Sequence, residues 1–162
     1  MTGKVFLIGA GPGDVELLTL RSLRMLQSAE AVVYDRLVSP EILELAPDTA
    51  RMIPVGKSPK CHPVTQDRIN EILVELAEEG LTVARLKGGD PLIFGRGSEE
   101  AAYLSMCGIP VEYAPGITAA QGMAASTGKK TRSLSPERIY DLLMTTRTAD
   151  EITVCFKDGR VI

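Results

Sequence analysis

Short apolar runs and stretches of helical spacing take turns along the chain. The runs are Lys4 to Ile8, Ala31 to Tyr34, the weaker Arg51 to Val55, Leu81 to Leu86, and Pro110 to Tyr113. Each is soon closed by glycine, proline or aspartate, which is how buried strands are bounded. Between them, Thr19 is placed to cap a helix carrying Leu20, Leu23 and Leu26, and Pro40 opens a short one through Leu45. The strongest helical pattern runs from Gln66 to Glu79. Its apolar stripe is Ile69, Ile72, Leu73, Leu76 and Ala77, and Gly80 supplies a stop. Ser98 is placed to cap a helix reaching Gly108, and Thr118 with Gln121 has capping-box spacing ahead of a small-residue helix. Strands alternating with helices predict an α/β fold: a mainly parallel five-stranded sheet with helices on both faces.

The character changes after Gly128. Lys129-Lys130-Thr131-Arg132 is a basic break, and Ser135-Pro136 caps a helix with Ile139, Leu142 and Leu143 on one face. Ile152, Val154 and Phe156 alternate as a strand, and Asp158-Gly159 is a two-residue hairpin turn with almost no room after it for a return strand. A short helix-strand tail is therefore expected over residues 129–162, separate from a lobe over residues 1–128.

The densest cluster of special residues is Arg85-Leu86-Lys87-Gly88-Gly89-Asp90-Pro91-Leu92-Ile93-Phe94-Gly95-Arg96-Gly97. A turn leaving the carboxyl end of a strand in an open α/β sheet is where ligands bind. Gly88 and Gly89 allow close backbone approach, Asp90 adds a fixed negative charge, and Arg96 adds a positive one.

Several familiar chemistries fit poorly. Gly9-Ala10-Gly11-Pro12-Gly13-Asp14 approximates a dinucleotide fingerprint, with Asp35 further on. The last glycine position is Asp14, however, and Pro12 removes an N–H that would cradle pyrophosphate. Gly122 to Lys130 has one residue too many for a P-loop. His62 is the single histidine and no G-x-S-x-G elbow exists, so a serine triad has no basis. Cys61, Cys107 and Cys155 are too scattered for a disulfide framework or a zinc site, so no metal is expected. A net charge of -3 argues against nonspecific nucleic-acid binding. Neither a signal peptide nor a membrane-length apolar run is visible, which favours the cytoplasm and no membrane association.

Glycine-rich, acid-bearing turns after the first and fourth strands suit a zwitterionic, adenine-bearing ligand such as S-adenosylmethionine better than a phosphate. Methyl transfer from a sulfonium disperses charge and depends mainly on in-line placement.

Taken together these residues resemble the tetrapyrrole methylases. The matching pieces are Gly9 to Asp14 with Leu17-Leu18-Thr19-Leu20, Tyr34-Asp35-Arg36-Leu37-Val38-Ser39-Pro40, and Val55-Gly56-Lys57. His62 with Gln66, Ile69 and Asn70, the Arg85 to Gly97 stretch, and Pro115-Gly116-Ile117-Thr118 complete the set. The resemblance implies methylation of uroporphyrinogen III at two ring carbons, giving precorrin-2 for sirohaem and cobalamin-type cofactors. S-adenosylmethionine would be the donor and S-adenosylhomocysteine the product. It also implies that Pro12, Gly88, Gly89, Asp90, Thr118 and Ala119 hold the donor, with Ile93 beside it. Arg96 and Glu99 match positions associated with the tetrapyrrole and with proton removal. Guanidinium stays protonated, so Arg96 suits a clamp on substrate carboxylates, with Arg36, Lys57 and Lys60 as further contacts. Glu99 would serve as a base if a closed site raised its pKa.

The resemblance stops near residue 128, where family members continue into a second α/β lobe that closes over the donor. The expected alternatives are therefore an active methyltransferase and a folded, catalytically silent lobe of the same ancestry. Self-association, as a homodimer or otherwise, would cover the face left by the absent lobe.

Overall fold

The computed structural model describes residues 2–56, 64–127, 156–157 and 160–161. The chain divides into two units, Met1–Thr118 and Ala119–Ile162.

In the first unit, β1 (Lys4–Gly9), β2 (Ala31–Tyr34), β3 (Arg51–Pro54), β4 (Thr82–Lys87) and β5 (Val111–Ala114) form one sheet in the order β3-β2-β4-β1-β5. Every neighbouring pair is parallel, so the α/β expectation holds. β4 and β1 are central, and their register runs from Lys4 opposite Thr82 to Gly9 opposite Lys87. Both strands are buried on each face, which is why they read as continuous apolar runs rather than alternating ones.

The connecting helices are α1 (Leu20–Gln27), α2 (Pro40–Leu43), α3 (Gln66–Glu78) and α4 (Gly97–Met106). One core joins Phe6, Ile8, Ala84 and Leu86 to Met25 and Leu26 of α1 and Ile42 of α2. The other joins Val5, Leu7 and Val83 to Ile69 and Leu73 of α3 and Ala101 and Leu104 of α4. Alternate residues of each strand thus serve opposite layers, as strand pleating requires.

Thr19 caps α1, its side chain accepting from Ser22 N, and Thr65 caps α3 by accepting from Arg68 N. The α1 face differs from expectation. Leu20 is 69% exposed, and the buried side chains are Ser22, Met25 and Leu26. Ser22 is drawn inward because its hydroxyl lies 3.0 Å from the Gly9 carbonyl. The start of α4 also differs. Arg96, not Ser98, takes the cap position, in the left-handed conformation and without a side-chain capping bond.

In the second unit, α5 (Ala119–Thr127) follows directly on Thr118. β6 (Phe156–Lys157) and β7 (Arg160–Val161) pair antiparallel, Lys157 opposite Arg160. A short return strand therefore does exist, two residues long. Lys57, Lys60, Cys61 and His62, the basic break at 129–132, the helix expected after Ser135, the positions of Ile152 and Val154, and Asp158-Gly159 lie outside the described residues.

Candidate active site

Adjacent strands β1 and β4 send their following helices to opposite faces of the sheet, α1 to one core and α4 to the other. Such a switch point opens a crevice beyond the strand ends. The turns after β1, β4 and β5 meet there. Gly11 and Gly89 exchange backbone hydrogen bonds as an isolated antiparallel bridge, Gly89 N to Gly11 O at 2.8 Å and Gly11 N to Gly89 O at 3.1 Å. Both adopt positive φ, 70° and 69°, which only glycine takes without cost.

Packing at the junction explains two further glycines. A Cβ on Gly9 would lie 2.5 Å from the Gly116 nitrogen and 2.7 Å from the Gly89 oxygen. One on Gly116 would collide with that same oxygen. Asp90 is buried and ties the turns together: Oδ1 accepts from Leu92 N at 2.8 Å, and Oδ2 from Gly116 N at 3.1 Å. Each carboxylate oxygen keeps a lone pair beyond these bonds. Asp90 is therefore both a strut and a carboxylate at the carboxyl edge of the sheet.

Beyond Asp90 the chain folds over itself. Gly97 N donates to Pro91 O at 2.9 Å, and a Cβ on Gly95 would lie 2.8 Å from that carbonyl oxygen. Gly95 is thus a packing glycine, while the left-handed positions fall to Phe94 (φ 57°) and Arg96 (φ 53°). A side chain in that region costs roughly 1–2 kcal/mol, and such outliers gather at functional sites. Leu92, Ile93 and Phe94 are about half exposed in succession, at 53%, 49% and 55%.

Arg96 and Glu99 form an exposed fork, Nε to Oε1 at 3.0 Å and Nη2 to Oε2 at 2.6 Å. The hydrogen bond from Arg96 holds the Glu99 carboxyl below its usual range, and the same bond raises Arg96. Glu99 is consequently a poor proton acceptor while the fork is closed. Pro12, Gly88 and Thr118 line the same edge at intermediate burial. A Cβ on Gly89 would lie 3.8 Å from the Thr118 Cα. Ala119 opens the second unit. Arg36 is exposed at the end of β2, and a Cβ on Gly56 would come within 2.5 Å of its nitrogen.

A buried polar cluster beneath the crevice was not anticipated from the sequence. Arg85 and Lys87, two apart on β4, share a face and reach Glu100 of α4. Glu100 Oε1 accepts from Lys87 Nζ at 3.0 Å, Gln66 Nε2 at 3.1 Å and Arg85 Nε at 3.2 Å. The Glu100 side chain is 0% exposed, and its Oε2 has no hydrogen-bond partner among the described residues. Arg85 Nη2 also stands 3.7 Å from Asp35 Oδ2 at the end of β2. Asp35 remains partly exposed, with Oδ1 held by Leu37 N at 3.2 Å. It is a second carboxylate on the carboxyl edge of the sheet. The signal for this cluster lay in charged residues within an otherwise apolar central strand, since such charges are buried only with partners. Among the described residues, no group of three or more His, Cys, Asp or Glu side chains is arranged to hold a metal ion, and no helix is long and apolar enough to cross a membrane.

The family model for Tetrapyrrole (Corrin/Porphyrin) Methylases matches residues 4–151. The chain belongs to the tetrapyrrole methylase family. It is 64% identical over 124 residues to the uroporphyrinogen-III C-methyltransferase of Paracoccus denitrificans, covering 76% of this chain and 43% of that protein. It thus spans less than half the length of that relative. The crystal structure of uroporphyrin-III-C-methyltransferase from Thermus thermophilus aligns with a TM-score of 0.71 at 49% identity, covering 83% of this chain and 58% of that one. A second structure of the Thermus enzyme, complexed with S-adenyl homocysteine, aligns at 0.66 and 46% identity over 77% of this chain and 52% of that one. As a tetrapyrrole methylase, the chain has its glycine turns, Asp90 and the strained loop on the carboxyl edge of the family's parallel sheet.

Proposed function

We propose that residues 1–128 form the N-terminal lobe of an S-adenosylmethionine-dependent uroporphyrinogen-III C-methyltransferase, producing precorrin-2. The observation that carries this reading is the meeting of three strand-end turns at the switch point, locked by the Gly11–Gly89 bridge and the doubly bonded Asp90. The 64% identity to a uroporphyrinogen-III C-methyltransferase supports the choice of substrate.

S-adenosylmethionine supplies an electrophilic methyl group on a sulfonium. The crevice fits such a ligand: a cation is favoured by the Asp90 charge, and glycines allow backbone approach. Pro12, Gly88, Gly89, Thr118 and Ala119 supply backbone contacts, and half-exposed Ile93 offers apolar surface. Arg96 presents its fork to substrate carboxylates, with Arg36 as a further contact; Lys57 and Lys60, outside the described residues, are assigned the same role from the sequence alone. Proton removal falls to Glu99 once its pair with Arg96 opens, or to Asp35, which stays partly exposed at the same edge. We also assign the protein to the cytoplasm and expect self-association, a homodimer being the simplest form. Residues 129–162 are assigned to a separate tail.

Calorimetric titration with S-adenosylhomocysteine tests the donor site. Asp90→Ala removes the charge and both backbone bonds, so affinity falls about tenfold or more. Asp90→Asn, which keeps an acceptor, loses less. Absence of heat from the unaltered chain at millimolar ligand overturns the reading. Labelled methyl transfer into uroporphyrinogen III then separates an active enzyme from a folded, silent lobe.

A further inference from the structure

Lys87 immediately precedes the ligand-side loop, and Glu100 lies in the first turn of the helix that follows it. Their 3.0 Å contact therefore joins the two ends of the segment carrying Gly88, Gly89, Asp90, Ile93 and Arg96. We propose that this buried ion pair is a clasp, making Lys87 and Glu100 positioning residues that hold the segment in its ligand-binding shape. The proposal rests on the function assigned above and adds to it two residues buried behind the loop.

Three observations support it. First, the Lys87 stem runs directly beneath the loop: a Cβ on Gly95 would come within 3.2 Å of its Cε. Second, left-handed Phe94 and Arg96 lie inside the clasped segment, and such residues persist only where their surroundings over-determine them. Third, a buried ion pair gains little net stability over apolar residues of similar size, and the convergence of donors on Glu100 favours a role in fixing geometry. Here one oxygen gathers Lys87 from β4, Arg85 from the same strand and Gln66 from α3. α3, α4 and the central strand are thereby fixed to one point below the crevice.

Native-state hydrogen exchange on the full chain tests the clasp without ligand. Lys87→Met leaves Glu100 paired with Arg85 and Gln66, so the fold survives. The Gly89, Leu92 and Gly97 amides should exchange about tenfold faster or more, while β1 amides such as Val5 keep their protection. Glu100→Gln, which keeps shape and acceptor but loses charge, should give the same pattern more weakly. S-adenosylhomocysteine affinity should fall about tenfold in Lys87→Met. Uniform acceleration across the sheet, or none in the loop, overturns the clasp; so does a loosened loop with unchanged affinity. Failure of the unaltered chain to bind the ligand overturns the functional assignment instead, and the exchange pattern then judges the clasp alone.

Discussion

Glu99 and Glu100 are neighbours in the first turn of α4, and both face cations, yet they live in different physics. The Glu99 side chain is 55% exposed and grips an equally open Arg96. Glu100 is 0% exposed and meets Arg85 and Lys87, exposed by 3% and 6%. Water and salt screen the first pair, so its opening costs little and a charged ligand can take the arginine. The second pair is sealed, and removal of Glu100, the shared acceptor, leaves cationic charge stranded in low dielectric. One helix turn therefore supplies a movable contact at the rim and a fixed one at the root.

The largest expected effect comes from breaking the fixed contact. Glu100→Ala leaves Lys87 and Arg85 without their shared acceptor, and stability should fall by ~3–5 kcal/mol in urea titration. Arg85 retains Asp35 at 3.7 Å, so the loss falls mainly on Lys87. A loss below about 1 kcal/mol would place Glu100 in the same class as Glu99 and dissolve the contrast.

That contrast is also where sequence reading stops. The sheet and its helices were legible because burial imposes a pattern: β4 reads as a run and α3 as a stripe, and both came within a residue or so of their observed limits. The glycine turns were legible as punctuation, but their separate duties were not. Gly11 and Gly89 supply positive φ, whereas Gly95 and Gly97 make room for the Pro91 carbonyl. Nothing in the local sequence marks Phe94 and Arg96 as the left-handed residues, because Gly95 and Gly97 between and beside them are taken up by close packing against the Pro91 carbonyl. Likewise two adjacent glutamates look alike until α4 is docked, since helical rotation of about 100° sends one inward and its neighbour outward.

A middle-sized effect follows from the titration of Lys87. Burial and the nearby Arg85 pull its pKa below the ordinary lysine value, against the opposing pull of Glu100. Between that lowered value and the ordinary one of about 10.4, the unfolded chain holds more protons than the folded chain. Stability contributed by this group therefore rises with pH through that window. Lys87→Met has no such term, so the stability of the parent relative to Lys87→Met should increase as pH climbs toward the ordinary lysine value. Urea midpoints at several alkaline pH values measure it. A relative decrease would mean that attraction to Glu100 outweighs burial.

The smallest stability effect belongs to the rim, and there it sharpens the comparison by separating stability from binding. Glu99 has its pKa lowered by the Arg96 hydrogen bond, so any stability it contributes is present above its unfolded value and lost as pH falls through the folded one. With both side chains more than half exposed, solvent screening leaves that contribution too small to detect. Glu99→Gln should accordingly leave the melting temperature unmoved near neutral pH, in low and high salt alike. Binding should respond differently. Glu99 occupies both Nε and Nη2 of Arg96, the same fork that would take a substrate carboxylate bidentately. Weakening that internal competitor frees the guanidinium, so affinity for a tetrapyrrole polycarboxylate should rise a few-fold at low salt and return to the parent value when salt screens the charges. If affinity falls instead, Glu99 orients Arg96 for the substrate rather than competing with it, and the rim pair is as fixed in function as the buried one is in structure.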